Sequence, residues 1–347
     1  MPVIRAIAMA TALFLAPTCA LADAIADFYK DKKVQFIIRA APGGNYDLYL
    51  RLLARHMMRH IPGNPTALPV NMPGGGGRTA LNFFDQVAPH DGTALTMVTQ
   101  TVPMDQALRF DPNLKTDMRK LNWLGNMSDE NMFLVMTRKA ATQSLQDATR
   151  RDTILASTGT GGSEVFLIAI INLVLGTRFK NVHGYRSSPE MNMAMQRGEV
   201  EGRILTNMRL AAGSFPNGMA DLNPILQTGV RKDPENPNVP LLLDQGRDET
   251  GKLMVSFISQ VMGLARPVAT NERTPKDRVA ALRRAYDAAM KDPALIAEAK
   301  QQGLHLNSWG GEELQRTVAS IVDTPEPTLE LIRKVIKAAS SADEKGK

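Results

Sequence analysis

Cysteine is almost absent from this chain: Cys19 is the single thiol in 347 residues, and it stands in an N-terminal segment that reads as removable. Without it the remainder has no internal disulfide, no thiol nucleophile and no cysteine-ligated metal. Aromatic residues are scarce at 5%, and the basic residues are scattered rather than gathered in a stripe, which excludes the usual nucleic-acid signature. Past the N-terminal segment, no apolar run approaches the roughly 20 residues that a membrane-spanning helix needs. Nor does one sign of charge dominate, with 41 Lys and Arg against 35 Asp and Glu. Loss of Arg5 with the leader would leave 40 against 35, a formal charge of +5. A mild positive bias of that kind is compatible with acidic small molecules.

Residues 1–22 carry Arg5, the apolar run Ala6–Leu15 and the small-x-small ending Ala20-Leu21-Ala22. That pattern predicts a cleavable signal peptide, and hence a soluble, periplasmic protein. Cys19 follows Ala16-Pro17-Thr18, a poor context for lipidation. The whole chain is 44% hydrophobic and 22% charged, the composition of a soluble globular protein, and it is long enough for two domains.

The chain is organised around Val34–Ile61. Val34–Ile38 is a short, partly β-branched apolar run, as a buried parallel strand requires. Pro42-Gly43-Gly44 breaks it. From Tyr46 onward Tyr49, Leu50, Leu53, Met57 and Ile61 recur at helical spacing, with Arg51, Arg55 and Arg59 on the opposite side. A helix N-terminus exposes unpaired N–H groups and attracts anions, and glycine lets the backbone approach a ligand closely. With Gly44 at the N-cap, Asp47 stands at N3, where its carboxylate reaches back to hold the loop. The same residues also fit a plain strand-to-helix turn.

Strands are predicted at Thr66–Asn71 and Thr93–Thr99 around a helix at Thr79–Val87, giving the β-α-β-α-β build of a doubly wound α/β sheet. The run Pro73-Gly74-Gly75-Gly76-Gly77 lacks a following Gly-Lys-Ser/Thr, so a nucleotide loop is unsupported and a close backbone approach is the milder reading. A second set of units begins with a strand at Thr153–Ala156 and a Ser/Thr/Gly loop, Ser157 to Ser163. An apolar helix at Val165–Leu175 and a strand at Lys180–Tyr185 follow. Ser188-Pro189-Glu190 starts a further helix, and Val200–Thr206 is a strand. Residues 231–240 read as a polar, proline-rich surface linker. Lys252–Leu264 reads as a strand returning to the first domain, with helices after it. The expected division is a leader at 1–22, domain 1 at 25–125, domain 2 at 126–244 and the helical remainder of domain 1 at 245–347.

The order of motifs resembles the extracytoplasmic receptors of tripartite tricarboxylate transporters, the Bug-type solute-binding proteins. The matching stretches are Pro42-Gly43-Gly44-x-x-Asp47, Asn71-Met72-Pro73 with the glycine run, and Ala88-Pro89-His90-Asp91-Gly92-Thr93. Gly159-Thr160-Gly161-Gly162-Ser163, Val182-His183-Gly184-Tyr185, Gly198-Glu199-Val200-Glu201, Pro237-Asn238-Val239-Pro240 and Thr274-Pro275 follow in order. The resemblance spans about residues 25–340.

It implies a two-lobed type II periplasmic-binding-protein fold, each lobe a mostly parallel sheet flanked by helices, with a central cleft closing on a small carboxylate. The candidate ligand-binding residues are Arg39, Pro42, Gly43, Gly44, Asn45, Tyr46 and Asp47 in the first loop, of which the resemblance carries over Gly43, Gly44 and Asp47. In the second half they are Ser157, Thr158, Gly159, Thr160, Gly161, Gly162, Ser163, Tyr185 and Glu201. No cofactor, metal or catalytic residue is implied; the partners are the carboxylate and a two-subunit membrane permease, with the receptor a monomer. Prolines usual in the family are replaced by Arg39 and Ala40-Ala41, and Gly202-Arg203 follows Val200-Glu201 unusually. Two readings stay open for each arginine: a bidentate contact to the ligand carboxylate, or a solvated residue at a strand end.

Rival functions have thinner support. His56 and His60 are spaced i, i+4, which suits zinc, but Met57 stands where a HExxH motif has its glutamate, and two solvent-side histidines are the plainer reading. No Gly-x-Ser-x-Gly elbow marks a hydrolase. An exported sensor that signals after binding its ligand would carry the same residues as a transport receptor.

Overall fold

The computed structural model of the chain describes residues 24–129, 131–157, 163–185, 188–205 and 208–344. β1 (Lys33–Ile38) is buried over Phe36–Ile38, and α1 (Asn45–Met57) sinks Tyr49, Leu50, Leu53 and Met57 into the core as their spacing predicts. β2 (Thr66–Asn71), α2 (Arg78–Gln86) and β3 (Ala94–Met97) complete the expected β-α-β-α-β. After α3 (Val102–Leu108), two apolar clusters, Trp123-Leu124 and Met132–Met136, fall in and beside β4 (Asn122–Asn126) and β5 (Phe133–Thr137). They belong to different sheets.

The second series runs α4 (Leu145–Arg150), β6 (Thr153–Ala156), α5 (Ser163–Leu175), β7 (Phe179–Val182) and α6 (Ser188–Arg197). β8 (Gly202–Leu205), α7 (Met208–Ala212) and β9 (Leu222–Gln227) close it. Then come α8 (Glu249–Gly263), β10 (Pro267–Thr270), α9 (Lys276–Met290) and α10 (Pro293–Gln301). β11 (Trp309–Gly310), α11 (Gly311–Val322) and α12 (Glu326–Glu344) end the described chain.

Two compact units result. Unit 1 holds residues up to Val102, Pro112–Ser128 and Ala265–Ala319; unit 2 holds Pro103–Asp111, Asp129–Leu264 and Ser320 onward. Their sheets, β11-β4-β10-β3-β1-β2 and β7-β6-β8-β5-β9, share one plan. In unit 1, β2, β1 and β3 pair in parallel, and β10 runs antiparallel between β3 and β4. In unit 2, β7, β6 and β8 pair in parallel, and β5 runs antiparallel between β8 and β9. Each inserted strand, β10 or β5, is the first that the chain builds after crossing from the other unit. Most strands of each sheet thus share one direction, as expected, and the crossing strand enters against the direction of the β-α-β path.

Three expectations need correction. Residues 252–264 are not a strand but most of α8, whose N-cap Asp248 accepts a hydrogen bond from the Gly251 N–H. It packs on α5 and α12 within unit 2; the strand that returns to unit 1 is β10, just beyond it. The final helix, α12, also packs on α5 rather than on the first unit's sheet. Residues 231–240 are not a loose linker. Buried Gln227 donates to the carbonyls of Asn236 and Val239, both at 2.9 Å, and accepts from the Asp233 N–H at 2.8 Å.

Candidate functional site

In unit 1 the chain leaves β1 at Ile38 and turns through Ala40–Gly44. The turn needs glycine at one position in particular: Gly43 has φ +82°, the left-handed region that costs an L-residue about 1–2 kcal/mol. Gly44, extended at φ −73°, ψ 158°, is the N-cap of α1 and offers no side chain to cap it. The first intrahelical bond is Leu48 N–H to Gly44 C=O at 3.0 Å. The N–H groups of Asn45, Tyr46 and Asp47 therefore find no acceptor inside the helix.

Asp47 holds this loop from behind. It is 2% exposed. One carboxylate oxygen accepts the Gly43 N–H at 2.8 Å; the other accepts Arg51 Nε at 2.7 Å and Asn71 Nδ2 at 2.8 Å. Asn71, the last residue of β2, also donates to the Ala40 carbonyl at 2.8 Å and accepts Arg51 Nη2 at 2.6 Å. Burial alone would raise the Asp47 pKa, but the bonds from Asn71, Gly43 and Arg51 together outweigh it and hold the carboxyl below its ordinary range. Asp47 thus works as the clamp its N3 position suggested; its oxygens are occupied by the loop.

Arg39 lies against the Tyr46 ring, 4.2 Å from its centroid. Arg266, 4% exposed, lies 5.1 Å from Tyr46 and 4.7 Å from Tyr49. Arg266 was not anticipated; its only sequence signal is a lone cation ending the apolar run of α8, directly before Pro267. The glycine run of the next loop serves Arg39. At Gly77 (φ +100°) a Cβ would meet Arg39 Nε at 2.5 Å and Thr99 Oγ1 at 2.6 Å, so the close approach requires glycine.

In unit 2, Ser157 follows β6 and His183 follows β7. Ser157 is fully buried; its Oγ lies 2.6 Å from His183 Nδ1, and its N–H donates to the Val182 carbonyl at 2.9 Å. Thr158, Gly159, Thr160, Gly161 and Gly162 lie outside the described residues. Ser163 is the first residue of α5. Tyr185, half-buried, packs on the core around Met191 and Met195; burial, then Glu199 and Glu190, raise its pKa. Glu201 must be removed from this group. It precedes β8 and stands at the amino end of the strand, where its carboxylate accepts Arg151 Nη1 at 2.6 Å and the Thr142 N–H at 3.2 Å. Period-two alternation and a family-like dipeptide cannot tell which end of a strand a residue occupies. A groove of about 710 Å³ also opens at that end, lined by Arg151, Met195, Glu201 and Phe215. Arg151 and Glu201 pair with each other there, so the groove stands apart from the strand ends where ligands bind in open α/β sheets.

Arg203, two residues on, is 5% exposed and stands beside Ala156 at the end of β6. Of its donors, Nη1 reaches the Ser188 carbonyl at 3.2 Å, while Nε is buried without a hydrogen-bond partner. Desolvation lowers its pKa, with Glu164 pulling the other way.

His56 of α1 and His60, in the 3-10 turn Met58–His60 that follows it, are engaged by charged side chains. His56 is buried, not solvent-side, between Arg59 Nη2 and Glu298 Oε2, both at 2.6 Å. His60 Nε2 lies 3.1 Å from Asp292 Oδ2. Among the described residues no group of three or more His, Cys, Asp or Glu is placed to hold a metal ion.

No protein-family model matches the chain, and no curated protein matches it in sequence. Solved structures do match. A TctC solute-binding protein from Polaromonas, without ligand, superposes with TM-score 0.71 at 15% identity, covering 89% of this chain and 99% of that one. The periplasmic binding protein BugD gives 0.53 at 19%, over 88% and 98%. R. palustris Rpa4515 with adipate gives 0.54 at 17%, over 88% and 97%. The chain has the two-sheet α/β fold of the periplasmic solute-binding proteins.

Proposed function

We propose that this protein is a periplasmic solute-binding receptor that captures a small carboxylate and delivers it to a two-subunit membrane permease of the tripartite tricarboxylate type, without catalysis. One observation carries the reading: the first-turn N–H groups of α1 open at the end of β1, in a loop fixed by a buried, fully bonded Asp47. A rigid array of N–H groups at the positive end of a helix dipole binds an anion with little ordering cost. In this reading Gly43, Gly44, Asn45 and Tyr46 surround the carboxylate, and Asp47 positions them. The names of the structural neighbours agree with it, one having been solved with adipate and two described as solute-binding or periplasmic binding proteins. Ser157 and His183 have the spacing of a nucleophile and its base, yet Ser157 is fully buried, which favours a bonded strand end over a reacting hydroxyl.

The test is thermal melting of purified protein, unfolded and refolded to strip bound solute, against mono-, di- and tricarboxylates and aromatic acids. A true ligand at a hundredfold excess over its dissociation constant stabilises the fold by about 2.7 kcal/mol. Gly44→Val should remove that shift, because a Cβ there meets the Ala41 carbonyl at 3.2 Å and Ala40 Cβ at 3.4 Å, so the loop must move to admit it. No shift with any acid, or a shift unchanged in Gly44→Val, would overturn the assignment.

A further inference from the structure

Two charged residues two apart at the start of β8 are treated differently. Glu201, just before the strand, and Arg151 neutralise one another at 2.6 Å. Arg203, the second residue of the strand, is 5% exposed, and all four residues of β8 are buried. No carboxylate among the described residues lies within ion-pair distance of it. Glu164, in the first turn of α5, influences it only from further away. Its one hydrogen bond among the described residues, from Nη1 to the carbonyl of Ser188 at the start of α6, ties down a single corner of the guanidinium. Nε, on another edge, is buried and bonds to nothing.

A buried guanidinium in that condition is costly: the charge has left water and receives neither a counter-charge nor a full set of acceptors. An arginine that served only packing would be replaced by an apolar residue at no loss. An unsatisfied buried donor in a folded protein calls for a partner, and the described residues supply none for Arg203 Nε. The location fits a ligand, because Arg203 is level with the last residue of β6, at the strand end where solutes bind in sheets of this kind.

We propose that Arg203 is the ionic anchor for the solute in unit 2, binding a carboxylate group through the edge that carries Nε. Two coplanar oxygens match two parallel N–H donors on one guanidinium edge. With Nη1 fixed on Ser188, the edge left without a partner among the described residues is the one that carries Nε. An amide or hydroxyl can accept hydrogen bonds there but leaves the charge unbalanced, so Arg203 selects for an acid over its neutral analogue. This inference rests on the receptor reading and adds a residue and a selectivity to it.

Calorimetric titration with succinate, citrate, benzoate and, as neutral analogue, benzamide, on wild type, Arg203→Met and Arg203→Lys, decides the matter. Arg203→Met should weaken the preferred acid roughly 10- to 100-fold, the range for a charge-assisted bond. Lys should retain part of the affinity through its charge but not its bidentate geometry. The preference for acid over amide should collapse in the Met variant. Melting without added acid supplies a readout that a structural arginine would move the other way. Arg203→Met should melt at or above wild type, because a solitary buried charge has gone. A Met variant that binds acids like wild type, or whose free form melts well below it, overturns the proposal while leaving the receptor reading intact. Wild type that binds none of the acids overturns both.

Discussion

At the end of β1 Asp47 and Arg51 answer each other within the chain; in β8 Arg203 has no carboxylate partner among the described residues. Asp47 and Arg51 are joined through Asn71 and Gly43 into a closed set of bonds, and the nearby cations, Arg39 and Arg266, lie against Tyr46. Unit 1 therefore presents a site whose donors are backbone N–H groups and whose side chains are already committed. Unit 2 presents a buried side chain, Arg203, held at one corner and without a hydrogen bond at another. The difference separates shape from charge: a preorganised loop costs little to use and accepts many anions, while a buried guanidinium discriminates among them.

The comparison breaks most visibly at Asp47. Asp47→Ala leaves Gly43, Asn71 and Arg51 without their shared acceptor and should cost about 3 kcal/mol, the value for a lost charged hydrogen bond in a buried site. Urea unfolding would measure it. The Asp47 carboxyl titrates lower in the folded protein than the usual 3.8, so its contribution is present above that pH and lost as pH falls through the folded value. Asp47→Asn should accordingly flatten the acid limb of the stability curve. A wild-type limb no steeper than that of Asp47→Asn would mean that the loop does not depend on the charge.

Gly77→Ala comes next. The added Cβ must displace Arg39 or Thr99 and accept a left-handed φ, an overpacking of about 1–3 kcal/mol. If the glycine run exists to admit Arg39, Gly77→Ala combined with Arg39→Ala should recover part of that loss in a double-mutant cycle. Strict additivity would show that the run serves something else. The smallest effect belongs to Arg39→Ala alone. Its stacking on Tyr46 is worth about 0.5–1 kcal/mol of stability, and solute affinity should change little. A tenfold loss of affinity would instead make unit 1 as dependent on a side-chain charge as unit 2, and the contrast between them would narrow.

Much of this was legible in the residues, for identifiable reasons. The stretch from Val34 to Met57 changes from an apolar run to a helical period across a glycine turn, and such a change survives any tertiary context. The same holds for Ser188-Pro189-Glu190, the start of α6. Where composition alone had to decide, it failed. Residues 252–264 are apolar enough for a strand and equally so for a buried helix, and neither periodicity nor propensity separates the two. The capping aspartate Asp248 and the length of the run were the signals that could have done so. Arg266 and Arg203 became informative only when folding showed what lies beside them. A lone arginine in an apolar stretch looks the same in sequence whether it is stacked, paired or waiting. Glu201 was misplaced for the same reason: local pattern gives a residue's strand, and only topology gives its end.

The route of the chain between its two units also sets when each can be finished. Unit 1 is complete once Ala319 has been made, but unit 2 still lacks its last segment, Ser320 onward. Every strand of unit 2 has been available since Gln227, yet α5, with Val165, Leu167, Ile168, Ile170 and Ile171 buried, counts α12 among its cover. A chain cut short before α12 would thus hold two formed sheets and an uncovered apolar helix. Chaperones and proteases that respond to such surfaces would distinguish full-length from truncated product at this one helix, making α12 the part of the molecule by which the whole is inspected.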